Sequence, residues 1–356
     1  MLNPFQKFNS KIFDADVEQV SMRRGFGEGL VLAGEADPNV VGLCADLTES
    51  VQMHFFKGMY PERFVQVGVA EQNLATVASG MAAMGKVPFI GSYAIFSPGR
   101  NWEQIRTTIC YNNANVKIIG SHAGLNVGPD GGSHQALEDI AITRVIPRMT
   151  VISPCDAIEA KKATVAAAKM KGPVYIRLVR EKSPIITSEA TSFEIGKAQI
   201  VWQSGEVNIA GGYGNEKMDK QSYVGMSQVG IVATGALLHK ALIAARELEN
   251  ENVTVTVMNL ATIKPLDVMA IIELAKNTGA IVTVEEHQIA GGMGSAVAEC
   301  LAQSNPVPME FIGVDGKFGQ SGTAAELIKD YGLDVSNIKA AVKKVLTRKS
   351  NPIKIN

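Results

Sequence analysis

Up to about residue 200, the chain alternates between short apolar runs and longer segments rich in alanine and leucine. The apolar runs are continuous and rich in β-branched residues, which is typical of strands covered on both faces of a sheet. We predict strands at Val40–Cys44, Phe64–Val69, Val87–Ser92, Val116–Ser121, Thr150–Ser153 and Val174–Val179. We predict helices between them, such as Glu71–Met84, Trp102–Asn113 and Ala157–Met170. This alternation predicts an α/β fold with a parallel sheet and right-handed crossover connections.

A second alternating block follows an interruption in the pattern. Its predicted strands are Val229–Thr234, Thr254–Met258, Ala280–Val284 and Met309–Gly313, and its predicted helices are Leu237–Leu248, Pro265–Asn277 and Gly294–Ala302. The interruption, Gln203–Gln228, is rich in Gly, Ser, Asn, Gln and Lys, which indicates an exposed loop or hairpin inserted at the surface. We therefore expect two doubly wound domains, at residues 1–195 and 229–356. A linker over 196–228 would join them, and an arm or leading helix would occupy about residues 1–20.

Several polar and aromatic residues follow the predicted strands by only a few positions. They are Asp46, Glu71, Tyr93, Phe96, His122 and Arg180. The carboxyl ends of parallel strands meet at one edge of a sheet, and ligands of open α/β sheets bind there. The pattern therefore predicts one crevice lined by acids, histidines, aromatic rings and arginines.

Composition narrows the class of protein. The chain has 356 residues, of which 46% are hydrophobic, and its formal net charge is −1. This balance gives no reason to expect nucleic acid or a membrane as a partner. The apolar runs are far shorter than the ~18 residues of a transmembrane helix, and residues 1–11 lack the apolar core of a secretory signal. Four scattered cysteines are typical of small core residues in a reducing compartment, so we expect a cytoplasmic enzyme.

Between the second predicted strand and its helix, the chain reads Gly-Val-Ala-Glu-Gln at residues 68–72. On its own, Glu71 would be an ordinary acid in an exposed first helical turn, where the helix dipole favours negative charge. The stretch resembles the pyrimidine-binding domain of thiamine diphosphate enzymes of the transketolase family. The resemblance implies that Glu71 hydrogen-bonds the N1′ nitrogen of the aminopyrimidine ring. This contact favours the imino tautomer, which can take the proton from C2 of the thiazolium ring.

A second segment strengthens the resemblance. Residues 121–135 read Ser-His-Ala-Gly-Leu-Asn-Val-Gly-Pro-Asp-Gly-Gly-Ser-His-Gln and are similar, without a gap, to a transketolase segment that contains Gly-Glu-Asp-Gly-Pro-Thr-His-Gln. Without the match, two histidines and an aspartate in a glycine-rich loop would be read as turn formers and solvated side chains. The match implies that His122, Asp130 and His134 contact substrate. The two histidines would be catalytic at the ketose carbonyl and hydroxyls, and Asp130 would contact the C2 hydroxyl of the acceptor.

Further positions resemble family residues that bind phosphate and cofactor. The segment Cys-Ala-Asp-Leu-Thr-Glu-Ser implies that Asp46 lies on the cofactor side and that Ser50 binds the sugar phosphate. Arg23 and Arg180 lie in segments similar to those that carry phosphate-binding arginines in the family. Because guanidinium groups bind phosphate oxygens in a bidentate way, two arginines and a hydroxyl would form a phosphate clamp. Without the family, both arginines would be read as solvated surface charges.

The aromatic residues of the crevice complete the implied cofactor site. Tyr93 and Phe96 match the family pattern Tyr-x-x-Phe and would flank the aminopyrimidine ring. Ordinary core packing would otherwise be the simpler interpretation of these two side chains. The Ser-Pro-Gly-Arg that follows, at residues 97–100, departs from the pattern of most single-chain transketolases.

One motif of the family is missing. The diphosphate half of these enzymes carries Gly-Asp-Gly followed by Asn, which hold Mg²⁺ and the diphosphate, and the sequence contains no Gly-Asp-Gly. The resemblance therefore implies the C-terminal subunit of a split transketolase, which would transfer a two-carbon ketol unit from a ketose phosphate to an aldose phosphate. A separate N-terminal subunit would supply the diphosphate-binding domain and the Mg²⁺ ligands. We expect a homodimer of this chain that joins two partner chains.

The second block, residues 229–349, resembles the smaller, mixed-sheet C-terminal domain of the same family, which mainly supports assembly. It contains Thr-Val-Glu-Glu-His at residues 283–287 and Phe-Gly-Gln-Ser-Gly at residues 318–322. Glu285, Glu286 and His287 could suggest acid–base chemistry. We expect them instead at an interface or surface, far from the crevice.

Two rival interpretations stay open. The first is another thiamine diphosphate enzyme, such as a deoxyxylulose-phosphate synthase or the beta subunit of a 2-oxo-acid dehydrogenase. The synthase usually keeps both halves on one chain, and the beta subunit normally lacks the paired His122 and His134 with Asp130. The second rival is a catalytically silent binding module. The presence of Glu71, both histidines and both arginines argues against that loss of function.

Overall fold

The computed structural model describes residues 1–204 and 227–350. Residues 205–226 of the predicted insertion and residues 351–356 of the second predicted domain lie outside the described residues. The strands are β1 (Gln19–Ser21), β2 (Val40–Cys44), β3 (Phe64–Gln66), β4 (Val87–Tyr93), β5 (Lys117–Ser121), β6 (Thr150–Ile152), β7 (Val174–Arg177), β8 (Lys182–Pro184), β9 (Gln199–Gln203), β10 (Val229–Ala233), β11 (Val255–Asn259), β12 (Thr262–Lys264), β13 (Ile281–Gln288) and β14 (Met309–Val314). The α-helices are α1 (Met22–Ala36), α2 (His54–Met59), α3 (Glu71–Ala83), α4 (Trp102–Gln104), α5 (Asp139–Arg144), α6 (Ala157–Lys169), α7 (Leu238–Asn250), α8 (Val268–Thr278), α9 (Met293–Ala302), α10 (Ala324–Asp330) and α11 (Val335–Ser350).

Seven strands form the larger sheet, in the order β12–β6–β7–β5–β4–β2–β3. Strands β2 to β7 run parallel, and β12, which comes from the second half of the chain, pairs antiparallel with β6 at one edge. Helices α1 and α6 pack on one face of the sheet, and α3 packs on the other. Because both faces are covered, strands such as β2 are buried along their whole length. The predicted doubly wound α/β fold is confirmed.

The smaller sheet has five strands, in the order β14–β13–β10–β11–β9. Four of them are parallel, and β9 pairs antiparallel with β11 at the edge, which makes this a mixed sheet as expected. Strand β9 lies within residues 196–228, where the sequence predicts a linker. The first residues of the chain reach the same edge, because the Asn3 amide donates to Val201 O at 2.9 Å.

The two sheets share part of their hydrophobic core. A single cluster of buried residues contains Leu74 and Ile109 from the first half of the chain and Ile271 and Val297 from the second. Together with strand β12, which crosses from one block to the other sheet, this cluster joins the two halves through buried contacts. In the described part of the chain, no helix is long and apolar enough to cross a membrane.

The helix predicted at Trp102–Asn113 has a different form in the structure. Only Trp102–Gln104 is α-helical, and Ile105–Tyr111 is a π-helix. The Thr107 and Thr108 hydroxyls donate to the carbonyls four residues earlier, at 2.8 and 2.6 Å. Threonine side chains that bond back to the helix compete with its backbone hydrogen bonds, and β-branched residues lower α-helix propensity. Both effects favour a wider turn here.

A close contact between α1 and α6 brings the start of α1 to the carboxyl edge of the larger sheet. Gly25 lies directly against α6, where a Cβ would sit 1.9 Å from the Ala157 carbonyl oxygen. No other residue leaves room for this approach. The packing places Arg23, in the first turn of α1, beside the loop after β2.

A buried ion pair connects the larger sheet to the smaller one. Arg177, at the end of β7, donates from Nε to Asp139 Oδ2 at 2.8 Å, and both side chains are almost completely buried. The Tyr175 hydroxyl donates to the same carboxylate oxygen at 2.6 Å. Arg177 Nη2 donates to the Glu286 carbonyl of β13 at 2.7 Å. Burial disfavours the charge on Arg177, but Asp139 and Glu286 outweigh it and raise the pKa of the guanidinium.

Candidate active site

The residues of the predicted crevice lie near the carboxyl edge of the larger sheet, where β2, β3, β4, β5 and β7 end. Two residues directly after these strands have left-handed backbones without being glycine. They are Asp46, with φ of 60°, and His122, with φ of 54°. Non-glycine residues in this region carry backbone strain of about 1–3 kcal/mol and are concentrated at functional sites. Two of the six such residues in the described part of the chain therefore lie at the edge that the strand pattern predicts.

Arg23 joins three of the predicted segments. Its Nη1 donates to the Ser50 carbonyl and its Nη2 donates to the Arg180 carbonyl, both at 2.6 Å. Nη1 also lies 3.4 Å from His122 Nε2. The guanidinium therefore fixes the loops after β2, β5 and β7 relative to one another through backbone acceptors. Its two terminal nitrogens are engaged by the protein itself.

The contacts of His122 define its tautomer. An arginine can only donate, so Nε2 facing Arg23 must be the acceptor, and Nδ1 carries the proton that is donated to Ser121 Oγ at 2.6 Å. Burial lowers the pKa of His122 to about 2, and the charges of Arg23 and Arg180 act in the same direction. The imidazole is therefore neutral at physiological pH, and the lone pair of its Nε2 faces Arg23.

The aromatic residues form a continuous stack with the histidines. The rings of Tyr93 and His122 are stacked with centroids 3.7 Å apart, and Tyr93 and Phe96 are nearly parallel at 5.9 Å. His134 meets the edges of both aromatic rings, at 6.5 Å from Tyr93 and 5.5 Å from Phe96. The structure therefore brings His134 into contact with both predicted aromatic residues and His122 into contact with Tyr93.

Arg180 and Asp130 face each other at the mouth of the crevice. Arg180 Nη1 lies 3.1 Å from Asp130 Oδ1 and donates to the Val127 carbonyl at 2.7 Å. Both side chains are partly exposed. Unlike Arg23, whose terminal nitrogens are engaged by backbone carbonyls, Arg180 keeps part of its guanidinium open to solvent.

Glu71 begins α3, as expected, but its environment differs from the exposed helical turn that the sequence suggests. The residue is only 2% exposed, and its Oε2 accepts from Arg100 Nη1 at 2.8 Å. Arg100 also lies over the ring of Phe96, 4.6 Å from the centroid. Asn101 holds the start of the helix by donating to the Glu71 carbonyl at 2.9 Å. The carboxylate is buried because the segment after β4 folds over it.

Sequence reasoning missed Arg100 as a member of this site. Arg100 lies four residues after Phe96. It belongs to the Ser-Pro-Gly-Arg segment, which departs from the family pattern. That departure was the available signal. Contacts now connect Glu71, through Arg100 and Phe96, to Tyr93 and the histidines.

We expected Glu285, Glu286 and His287 at an interface or surface far from the crevice, and the surface position is wrong because all three are buried. Glu286 and His287 lie at an interface, since they contact Asn126 and Ala141 of the first domain, whereas Glu285 binds the start of α9 within its own domain. Glu286 Oε1 accepts from the Asn126 amide, in the loop between His122 and Asp130, at 2.6 Å. Their position depends on how the second sheet packs on the first, which strand periodicity does not predict.

Asp46 and Ser50 lie at the rim of the crevice. The Asp46 side chain is exposed, and its backbone amide donates to Gln66 Oε1 at 2.7 Å. Ser50 contributes its carbonyl to Arg23. Within residues 1–204 and 227–350, no group of three or more His, Cys, Asp or Glu side chains could hold a metal ion.

We predict that Arg23→Lys lowers the free energy of unfolding by about 1.5–3 kcal/mol, because a lysine cannot keep the forked donation to two carbonyls. Urea unfolding of the purified chain measures this value. Arg24→Lys is the matched control, since Arg24 is exposed and pairs only with Glu28, one helical turn away; that change should stay within about 0.5 kcal/mol. Equal effects of the two substitutions would contradict the connecting role of Arg23.

Comparison with known proteins identifies the family. Residues 18–185 match the transketolase pyrimidine-binding domain, and residues 223–338 match the transketolase C-terminal domain. A protein of Methanocaldococcus jannaschii named as a transketolase C-terminal section is 41% identical over 89% of this chain and 93% of its own length. A 6-deoxy-6-sulfo-D-fructose transketolase subunit of a Clostridium species is 36% identical over 95% of this chain and 98% of its own length.

Longer relatives and a solved structure agree with this assignment. Human transketolase is 33% identical over 93% of this chain, which spans 50% of the human protein. A solved structure described as a split-gene transketolase, inactive beta4 tetramer, is 41% identical, with a TM-score of 0.81 over 93% of this chain and 99% of the other. The chain therefore belongs to the transketolase family, of which it carries the pyrimidine-binding domain and the C-terminal domain.

Proposed function

We propose that this chain is the C-terminal subunit of a split transketolase. It would transfer a two-carbon ketol unit from a ketose phosphate to an aldose phosphate with thiamine diphosphate, in complex with a separate subunit. One observation carries the proposal. A buried carboxylate, Glu71, lies at the start of α3 and is joined by ring and ion-pair contacts to Tyr93 and to both histidines of the crevice.

These residues fit the aminopyrimidine half of the cofactor. Glu71 would accept or share a proton at the pyrimidine N1′, and Tyr93 and Phe96 offer aromatic surface for the ring. When bound, thiamine diphosphate supplies a nucleophilic carbon. The chain's own task is to hold the ring against Glu71 and to keep water from the buried carboxylate. Arg100 must give up at least part of its contact with Glu71 Oε2 for this to occur.

The remaining residues fit a polyhydroxy substrate with a distal anion. His122 is neutral and would act as a hydrogen-bonding group at the substrate carbonyl or hydroxyls, and His134, more exposed, would move protons there. Asp130 would accept from a hydroxyl of the acceptor sugar. Arg180 and the hydroxyl of Ser50 would bind the phosphate, while Arg23 would hold the segments that carry them.

The relatives and the absence of Gly-Asp-Gly from this sequence support the proposal of a separate partner. The Clostridium relative is named as a subunit and has about the length of this chain, whereas human transketolase is about twice as long. The solved relative is described as an inactive tetramer of beta chains. The partner would supply the diphosphate site and the ligands of Mg²⁺. Two copies of this chain would join two copies of the partner.

The Clostridium relative also favours a second candidate substrate. It is named for a sulfonated sugar, 6-deoxy-6-sulfo-D-fructose. A sulfonate and a phosphate are both tetrahedral anions that an arginine can bind, so Arg180 suits either one. Other thiamine diphosphate reactions and a silent binding module are outcomes of the following experiment.

We predict that the purified chain with thiamine diphosphate and Mg²⁺ shows no ketol transfer, because in the proposed arrangement the partner subunit supplies half of the cofactor site. Addition of an N-terminal subunit that carries Gly-Asp-Gly should restore the reaction. Transfer is measured with xylulose 5-phosphate and ribose 5-phosphate, and with a sulfonated ketose in parallel. Robust activity of the chain alone would refute the split arrangement, and thiamine diphosphate binding without any transfer in the complex would indicate a silent module.

Glu71→Gln should slow exchange of the C2 proton of thiamine diphosphate in the assembled enzyme by at least about 100-fold, because the amide cannot share a proton with the pyrimidine as a carboxylate does. NMR of the bound cofactor measures the exchange rate. Arg100, the ion-pair partner, is half exposed, so the loss of stability should stay near 1 kcal/mol or below. Glu62→Gln, at an exposed residue, is the control. An unchanged rate would show that Glu71 is only an acidic residue in the first turn of α3.

Arg180→Ala should raise KM for phosphorylated sugars by about ten- to hundredfold, since each charge-assisted hydrogen bond is worth about 1.5–3 kcal/mol. KM for hydroxypyruvate, a short donor without phosphate, should change little. Steady-state kinetics of the assembled enzyme compare the two donors, with Lys182→Ala at a nearby exposed residue as the control. Equal effects on both classes of donor would show that Arg180 supports the loops and does not bind phosphate.

A further inference from the structure

Glu286 is a buried carboxylate of the C-terminal domain that reaches the substrate loop of the other domain. It lies near the end of β13 and is 4% exposed. Its Oε1 accepts from the Asn126 amide at 2.6 Å, and the Leu125 amide also hydrogen-bonds the carboxylate. Its carbonyl accepts from Arg177 at 2.7 Å, which fixes the backbone of the strand beside the loop.

The loop that Glu286 contacts runs from His122 to His134. Gly124 has φ of 79°, and a Cβ at this position would lie 2.4 Å from Glu286 Oε1, so the chain passes directly over the carboxylate. The following turn ends at Asp130, and its Val127 carbonyl accepts from Arg180. The carboxylate therefore binds the loop between its two histidines.

A second segment of the C-terminal domain supports the same loop. Gln135 Nε2 donates to the Gln320 carbonyl at 3.0 Å. A Cβ at Gly131 would lie 2.5 Å from Ser321 Oγ, and a Cβ at Gly132 would lie 2.5 Å from the Gly319 carbonyl. Two parts of the C-terminal domain therefore contact the loop: the Glu286 carboxylate and the segment at residues 318–322.

The neighbouring residue, Glu285, has the same chemistry but a different target. It accepts from the amides of Met293 and Gly294 at 2.7 and 2.8 Å, at the start of α9 within its own domain. It is also buried, and burial raises the pKa of both carboxyls to about 7. The two adjacent glutamates therefore differ mainly in the backbone amides that they bind. Substitution of Glu285 can serve as the matched control for substitution of Glu286.

We propose that Glu286 is a positioning residue for the substrate loop. It fixes the amides of Leu125 and Asn126, and through them the places of Asp130 and His134. The inference rests on the proposed function, in which Asp130 and His134 contact substrate. It assigns the C-terminal domain a direct part in the geometry of the acceptor site, beyond its contribution to assembly.

The first test uses the isolated chain and needs neither partner nor cofactor. Glu286→Gln keeps the shape but weakens acceptance from two amides, so hydrogen exchange at Leu125 and Asn126 should rise by about tenfold or more. The imidazole NMR signal of His134, which lies against two aromatic rings, should move. Glu285→Gln should raise exchange at Met293 and Gly294 and leave the His134 signal in place. Unchanged exchange in the loop, or equal shifts of His134 in both variants, would overturn the proposal.

The second test separates positioning from simple support of the fold. In the assembled enzyme, Glu286→Gln should raise KM for the acceptor sugar about tenfold with a smaller change in kcat, and Glu285→Gln should leave both values near those of the wild type. If hydrogen exchange in the loop rises but KM and kcat do not change, Glu286 supports the fold and does not position the substrate residues. If Glu286→Gln does not fold, Glu286→Asp, which keeps the charge one methylene shorter, gives the same readouts. Absence of ketol transfer in the wild type would refute the proposed function, while the exchange and His134 data would still decide whether Glu286 holds the loop.

Discussion

The buried side chain of Arg177 contacts both halves of the molecule, because it pairs with Asp139 in its own half and donates to the Glu286 carbonyl of the other. A buried charge without its partner is strongly unfavourable, typically by about 3–5 kcal/mol, so each side chain requires the other. Arg177 has donors left over, and they bind the carbonyls of Ala136 and Glu286. The pair therefore fixes the end of β7, the start of α5 and the end of β13 at one place. These three segments support the loops that carry the site residues.

The loops of the site are held in place mainly by hydrogen bonds between side chains and backbone groups. Arg23 binds two carbonyls, Arg180 binds one, and Glu286 accepts from amides. Loops held by their backbones can keep their shape while the side chains they carry contact a ligand. The strained backbones of Asp46 and His122 are compatible with such over-determined loops.

The sequence was sufficient to predict the strands that carry the site and therefore which side chains share an edge, although β3 and β7 end at Gln66 and Arg177, before the predicted Val69 and Val179. A continuous apolar run rich in β-branched residues indicates a strand that is buried on both faces of a sheet. Glu71, Tyr93 and His122 follow such runs by only a few positions, which is why the sequence assigns them to the same edge. The same patterns did not predict β9, which lies in the segment expected to be a linker, or β12, which pairs with a strand from the other half of the chain. Arg100 and Glu286 depend on tertiary packing, since each becomes a site residue only when a distant segment folds over it. Local propensity contains no information about that step.

The hydrophobic core shared by the two sheets has a consequence for how the chain can be divided. Two modules can be recognised in the sequence, yet Leu74 and Val297 belong to one continuous cluster, and β12 completes a sheet built almost entirely from the other module. A cut at the linker would expose apolar surface on both fragments and leave β6 as an unpaired edge. The two modules therefore depend on each other for the burial of this shared cluster.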